Sequence, residues 1–211
     1  MAGSRTASEV LLARLVPLTC CIVLGGCTTT LHDLAVSDVS VTDSAEWFPP
    51  VESRNKRTNR LLLRVDLTTK VDLGQAFSRW DMLIHANVVF CSHPDDDALL
   101  GFSLYTTAPS AGELPRPLNS PRSVGPAGAT ERTYYLPLNI AAPATLEMKL
   151  HGVSFDLLGN PEDLCISLRG ASLPFTMKWH YVRSNTVRVS RDAIREVLND
   201  AQSTDRPSDN R

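Results

Sequence analysis

An all-β fold, an antiparallel β-sandwich of about eight strands closed by a short C-terminal helix, is what the sequence predicts. Three observations carry it. Apolar residues recur with a period of two along one run after another. Clusters of Pro, Gly, Asn and Asp interrupt these runs. No helical pattern alternates with the strands, as a parallel βαβ fold demands.

The first run is Val36 to Thr42. Leu61, Leu63, Val65 and Leu67 then alternate with Leu62, Arg64 and Asp66, as a half-buried strand requires. Met82, Ile84, Ala86, Val88 and Phe90 make an apolar face, and His85, Asn87 and Cys91 share the opposite face with Leu83 and Val89. Phe102 to Thr107 and Thr133 to Ile140 are further strands. Leu146, Met148 and Leu150 alternate, the phase changes at His151-Gly152, and Val153 and Phe155 resume it, which predicts a β-bulge. Leu164 to Arg169 and Thr176 to Val182 follow, and Ser184-Asn185 is expected to turn the chain back into Thr186 to Val189. Only the C-terminal end reads as helix: Ala193, Ile194, Val197 and Leu198 form one apolar stripe behind Ser190, a residue suited to the N-cap.

The segments between are expected to carry no core. Residues 108–131 hold Pro109, Pro115, Pro117, Pro121 and Pro126, and read as a long, disordered loop within a single domain spanning residues 35–201. Residues 202–211 read as a polar tail, and Arg54, Lys56, Arg57 and Arg60 as a solvated basic loop. Trp47, Trp80 and Trp179 are scattered, which predicts core or rim packing.

Residues 1–26 have the layout of an export signal: Arg5 and Arg14 in a positive leader, then an apolar stretch from Leu15 to Leu24. That stretch is ten residues long and is broken by Pro17 and Thr19, whereas crossing a bilayer takes about 20 apolar residues. Leu24-Gly25-Gly26-Cys27 closes it. This segment resembles the lipobox of bacterial lipoproteins. The resemblance implies cleavage before Cys27, acylation of that cysteine with palmitate-type chains, and a membrane partner reached through them. Thr28, in the place where Asp would retain the protein at the inner membrane, implies the outer membrane facing the periplasm in a Gram-negative cell. Residues 27–34 then read as a lipidated tether.

Export agrees with the cysteine count. Cys20 and Cys21 leave with the signal and Cys27 carries lipid, so Cys91 and Cys165 remain as an even pair in an oxidising compartment. A disulfide between them would join two strands 74 residues apart. A shared metal site is the alternative, without a C-x-x-C spacing to favour it. Without residues 1–26 the charge is 19 basic minus 22 acidic groups, or −3. Such a chain has no general attraction for nucleic acid or anionic lipid.

One stretch looks catalytic. His93-Pro94-Asp95-Asp96-Asp97 resembles the His-Pro-Asp-Asp-Glu motif of the LmbE-like N-acetylglucosaminyl deacetylases. The resemblance implies a Rossmann-like α/β fold, His93 and Asp96 as zinc ligands and Asp95 as the base acting on metal-bound water. Asp97 stands where that family has glutamate, and His151 and His180 are isolated rather than paired. The competing readings are a solvated polar turn and a divalent-cation cluster of Asp95, Asp96 and Asp97. No G-x-S-x-G, phosphate-cradling glycine loop or H-E-x-x-H occurs. The expectation is therefore a non-enzymatic envelope module that binds or assembles with a protein partner and needs no cofactor, with a zinc hydrolase as the alternative.

Overall fold

The computed structural model describes residues 27–47, 61–80, 82–94, 100–110, 113–120, 130–140, 156–172 and 180–204. Its strands are β1 (Cys27–Leu31), β2 (Ala35–Asp43), β3 (Leu61–Thr69), β4 (Met82–Phe90), β5 (Leu100–Phe102), β6 (Arg132–Asn139), β7 (Leu164–Ser172), β8 (His180–Ser184) and β9 (Val187–Val189). Among the described residues three helices accompany them: α1 (Ser44–Trp47), α2 (Leu73–Trp80) and α3 (Arg191–Thr204). The strands form two sheets, as expected of a sandwich. The large sheet runs β1-β8-β7-β4-β5, with β9 also on β7, and the small sheet runs β2-β3-β6.

The core lies between them because alternation turns one side of each strand inward. Leu63, Val65 and Leu67 of β3 and Leu136 and Leu138 of β6 are fully buried opposite Met82, Ile84, Ala86 and Val88 of β4 and Ile166 and Leu168 of β7. Ile194 and Leu198 of α3 complete this core, as the stripe predicts. Ser190 caps that helix through its Oγ, which accepts from Ala193 N at 3.2 Å.

Several expectations are corrected. Residues 27–31 are not tether but strand β1, paired in parallel with β8 from Cys27↔His180 to Leu31↔Ser184. Leu31 and Leu34 are buried, and that burial holds the segment in the fold. The sandwich thus contains one parallel pair among antiparallel ones. The sequence also hid α2, whose N-terminus Asp72 caps by accepting from Gln75 N at 2.9 Å, and the single turn α1, capped by Asp43.

Ser184-Asn185 does not reverse the chain. β8 pairs with β7 at Arg169↔Arg183 and β9 pairs with the same strand at Ile166↔Val187, so both run antiparallel to β7 with a slip between them. The slip is filled by side chains. Ser184 Oγ accepts from Leu168 N at 2.7 Å, and the Asn185 amide spans Leu34, accepting from its N at 3.1 Å and donating to its O at 2.9 Å. A polar pair that looks like a turn in sequence is here a bulge plug.

The described part of 108–131 packs against the sandwich. Leu118 is fully buried, its N donates to Leu104 O at 2.7 Å, and Asn119 bonds both N and O of Ile84 on β4. β5 is only three residues long and meets β4 at residues 86–88, so Asn119 supplies the partner the neighbouring peptide lacks. Of the expected strand over 102–107 only Phe102 falls in β5, and Tyr105 makes isolated bridges to Pro117 and Tyr135. The bulged run over 146–155 and the basic loop over 54–60 lie outside the described residues.

Outside the small sheet a minor cluster forms. Trp47 meets Tyr105 edge-on at 5.1 Å over Leu62, so Trp47 packs as expected. Beside it the Arg64 guanidinium forks onto Asp66 at 2.7 and 2.6 Å and lies 4.8 Å from the Tyr135 ring.

Candidate functional site

The expected sites fall at three places. Cys27 opens β1, so the proposed acylation point is the first residue of the large sheet. Cys91 and Cys165 form a disulfide, with Cα atoms 5.0 Å apart. It joins β7 to the residue after β4, on the outer side of strands already paired, and Cys91 N donates to Asp163 O at 2.9 Å beside it.

His93 lies just beyond that disulfide, exposed, in a turn closed by its N donating to Phe90 O at 2.9 Å. Ser92 Oγ donates to Glu162 Oε2 at 2.7 Å and sits 2.9 Å from His93 Nδ1. The hydroxyl has a single proton and spends it on the carboxylate, so Nδ1 must be the donor to Ser92. An activated nucleophile needs the opposite, with serine donating to imidazole. Asp95, Asp96 and Asp97 lie outside the described residues. β4, which leads into the motif, sits between β5 and β7 in an antiparallel arrangement. That overturns the α/β context implied by the deacetylase resemblance. Among the described residues no three His, Cys, Asp or Glu side chains are placed to hold a metal ion.

What sequence reasoning missed is the outer face of the large sheet. Register brings Thr28, Tyr181, Ala171 and Leu83 into one row across β1, β8, β7 and β4. Two residues further along these strands, Thr30, Arg183, Arg169 and His85 form a second row on the same face. All eight are exposed, and neither row contains a carboxylate. Among the described residues no carboxylate forms an ion pair with Arg169 or Arg183. Two guanidinium groups directly opposite one another are unfavourable in a bare sheet. Tyr181 and Leu83 are 44% and 45% exposed, large for apolar groups on a sheet surface.

Short residues shape this face. Ala171 and Gly170 stand among longer neighbours and leave an open concavity of about 390 Å³, rimmed by Thr28, Tyr181, Arg183, Arg169 and His85. Gly170 is required by what lies behind it: an added Cβ would sit 2.9 Å from Ile84 Cγ1 and 3.0 Å from Leu83 O. Partial burial, with a smaller contribution from Arg169, holds the His85 imidazole below its ordinary pKa. His85, placed by the alternation on the less apolar face of its strand, borders the concavity. The signal in sequence was faint: His85, Arg169 and Arg183 are the outward members of three alternating runs, and nothing in the chain tells which runs are neighbours.

No family model matches this chain, and no curated protein or solved structure is significantly similar to it.

Proposed function

We propose that this protein is a lipid-anchored module of the bacterial cell envelope that acts by binding, held at a membrane surface by acyl chains on Cys27. The observation that carries the reading is the position of that cysteine. The lipobox-like Leu24-Gly25-Gly26-Cys27 runs without a spacer into β1, so the acylated residue is also the first residue of the large sheet. A module built this way is held tight to its membrane and cannot swing on a linker. The two-row outer face, with its two opposed guanidinium groups and concavity, is the binding surface such a module would present. Among the described residues no helix is long and apolar enough to cross a membrane.

The test is metabolic labelling with a fatty-acid analogue in a Gram-negative host. The wild-type chain should take up label, lose residues 1–26 and sediment with the outer membrane. Cys27→Ser should remain an unlabelled, unprocessed precursor. A wild-type chain that matures without label, or a Cys27→Ser variant that is cleaved and sediments normally, would refute the proposal.

A further inference from the structure

We infer that the outer face of the large sheet docks on anionic lipid headgroups of the membrane that holds the anchor, with Arg169 and Arg183 taking the phosphates; this rests on reading Cys27 as the acylated residue. The order of groups along the strands carries the inference. Level with Cys27 on β1 is His180 on β8. The next outward row holds Tyr181 and Leu83, and the row after that holds Arg183 and Arg169. At about 3.3 Å per residue, the apolar row lies roughly 3 Å from the anchor level and the cationic row roughly 10 Å from it. A membrane has the same sequence from its interior outward: acyl chains, an interfacial belt favouring tyrosine, then phosphates. The strands match that order, with the acyl site at the Cys27 level, then exposed Tyr181 and Leu83 on the outer face, then its two guanidiniums.

Charge makes the same selection. The whole chain carries a formal charge of −2, and two rows that hold two arginines and no carboxylate are a local reversal of that sign. Directly opposed guanidiniums repel, and an anion shared between them removes the repulsion. The concavity beside them, floored by Ala171 and Gly170, gives a headgroup room to enter. A planar guanidinium fork suits phosphate oxygens better than an ammonium does.

The mature chain from residue 27, carrying Cys27→Ser so that no acyl chain contributes, is mixed with vesicles of phosphatidylglycerol or of phosphatidylcholine and sedimented. It should bind the anionic vesicles, release them as salt is raised, and ignore the zwitterionic ones. Arg169→Gln with Arg183→Gln should bind about 30-fold more weakly, and Arg183→Gln alone about fivefold. Both should melt no lower than the parent, since they relieve a repulsion. Tyr181→Ser should weaken the same binding. Equal binding to the two vesicle types, or undiminished binding by a folded double variant, overturns the inference. So does saturable binding of inorganic phosphate by a protein that leaves phosphatidylglycerol vesicles alone, the mark of a small-anion pocket. Because no acylation enters this experiment, its failure is separate from failure of the labelling test on Cys27.

Discussion

Two asparagines show how single side chains finish what the strands leave open. Asn119 bonds the peptide of Ile84 where β5 is too short to reach, and Asn185 bonds that of Leu34 where β1 gives way to β2. An amide offers a donor and an acceptor at the spacing of a peptide, so each stands in for a missing strand residue. Asn185→Ala would leave the N and O of buried Leu34 without that partner. A loss of roughly 2–3 kcal/mol is expected, read from the urea midpoint at constant m. A change within error would mean that the bulge is held by Ser184 alone. Tyr134 plays a similar part deeper in. Its hydroxyl accepts from Leu73 N at 2.7 Å, and burial pushes its pKa up to about 12, so the phenol stays neutral while fixing the start of α2. None of these roles is visible in sequence, where Asn beside Ser predicts only a turn.

Elements were legible to the extent that their periodicity was local. β2, β3, β4, β6 and β7 follow alternating runs, and α3 follows its 3.6-residue stripe and serine cap. β1 escaped because Cys27-Thr28-Thr29-Thr30-Leu31 has almost no apolar contrast, and its pairing with β8 comes from a segment about 150 residues away. α2 escaped because its amphipathic pattern lasts only eight residues between two longer alternating runs. The attachment of α3 depends on Asp163, which accepts from Arg191 N at 2.8 Å and pairs with Arg188. The Arg191 amide does most to hold the Asp163 carboxyl below its ordinary value; burial opposes it, and Arg188 adds a smaller lowering. The unfolded carboxylate therefore takes its proton first as pH falls. Stability from this contact is full above the unfolded value and is lost as pH drops through the folded one. The stability difference between wild type and Asp163→Asn should thus be present at pH 7 and shrink in acid, as followed by circular dichroism. A difference that is constant with pH would show that the charge is irrelevant to the cap.

For the molecule as a whole, the disulfide is the largest single constraint expected. It closes a loop of 74 residues between strands that also pair through hydrogen bonds, so its effect falls chiefly on the unfolded chain. Reduction, or Cys91→Ala with Cys165→Ala, should lower stability by roughly 3–4 kcal/mol with the native spectrum retained. Unfolding midpoints with and without reductant measure this, and coincident curves would rule it out. Net charge is the whole-molecule quantity that misled most. A charge of −3 without residues 1–26 gives no reason to expect a cationic surface, because summing charges discards where Arg169 and Arg183 lie. His93, which drew attention as a motif, is an exposed link in a surface hydrogen-bond chain.

By itself the sequence determined the all-β class, the pairing of Cys91 with Cys165 and most strand interiors. These depend on composition, on short contiguous motifs and on period-two alternation, all of which are properties of neighbours along the chain. Only the tertiary structure decided that β1 belongs to the sheet, that Ser184-Asn185 is a bulge, and that Arg183, Arg169 and His85 share a row. Strand order and register select among many partners for each run, and the selection is made by burial of whole faces at once, which no local pattern encodes.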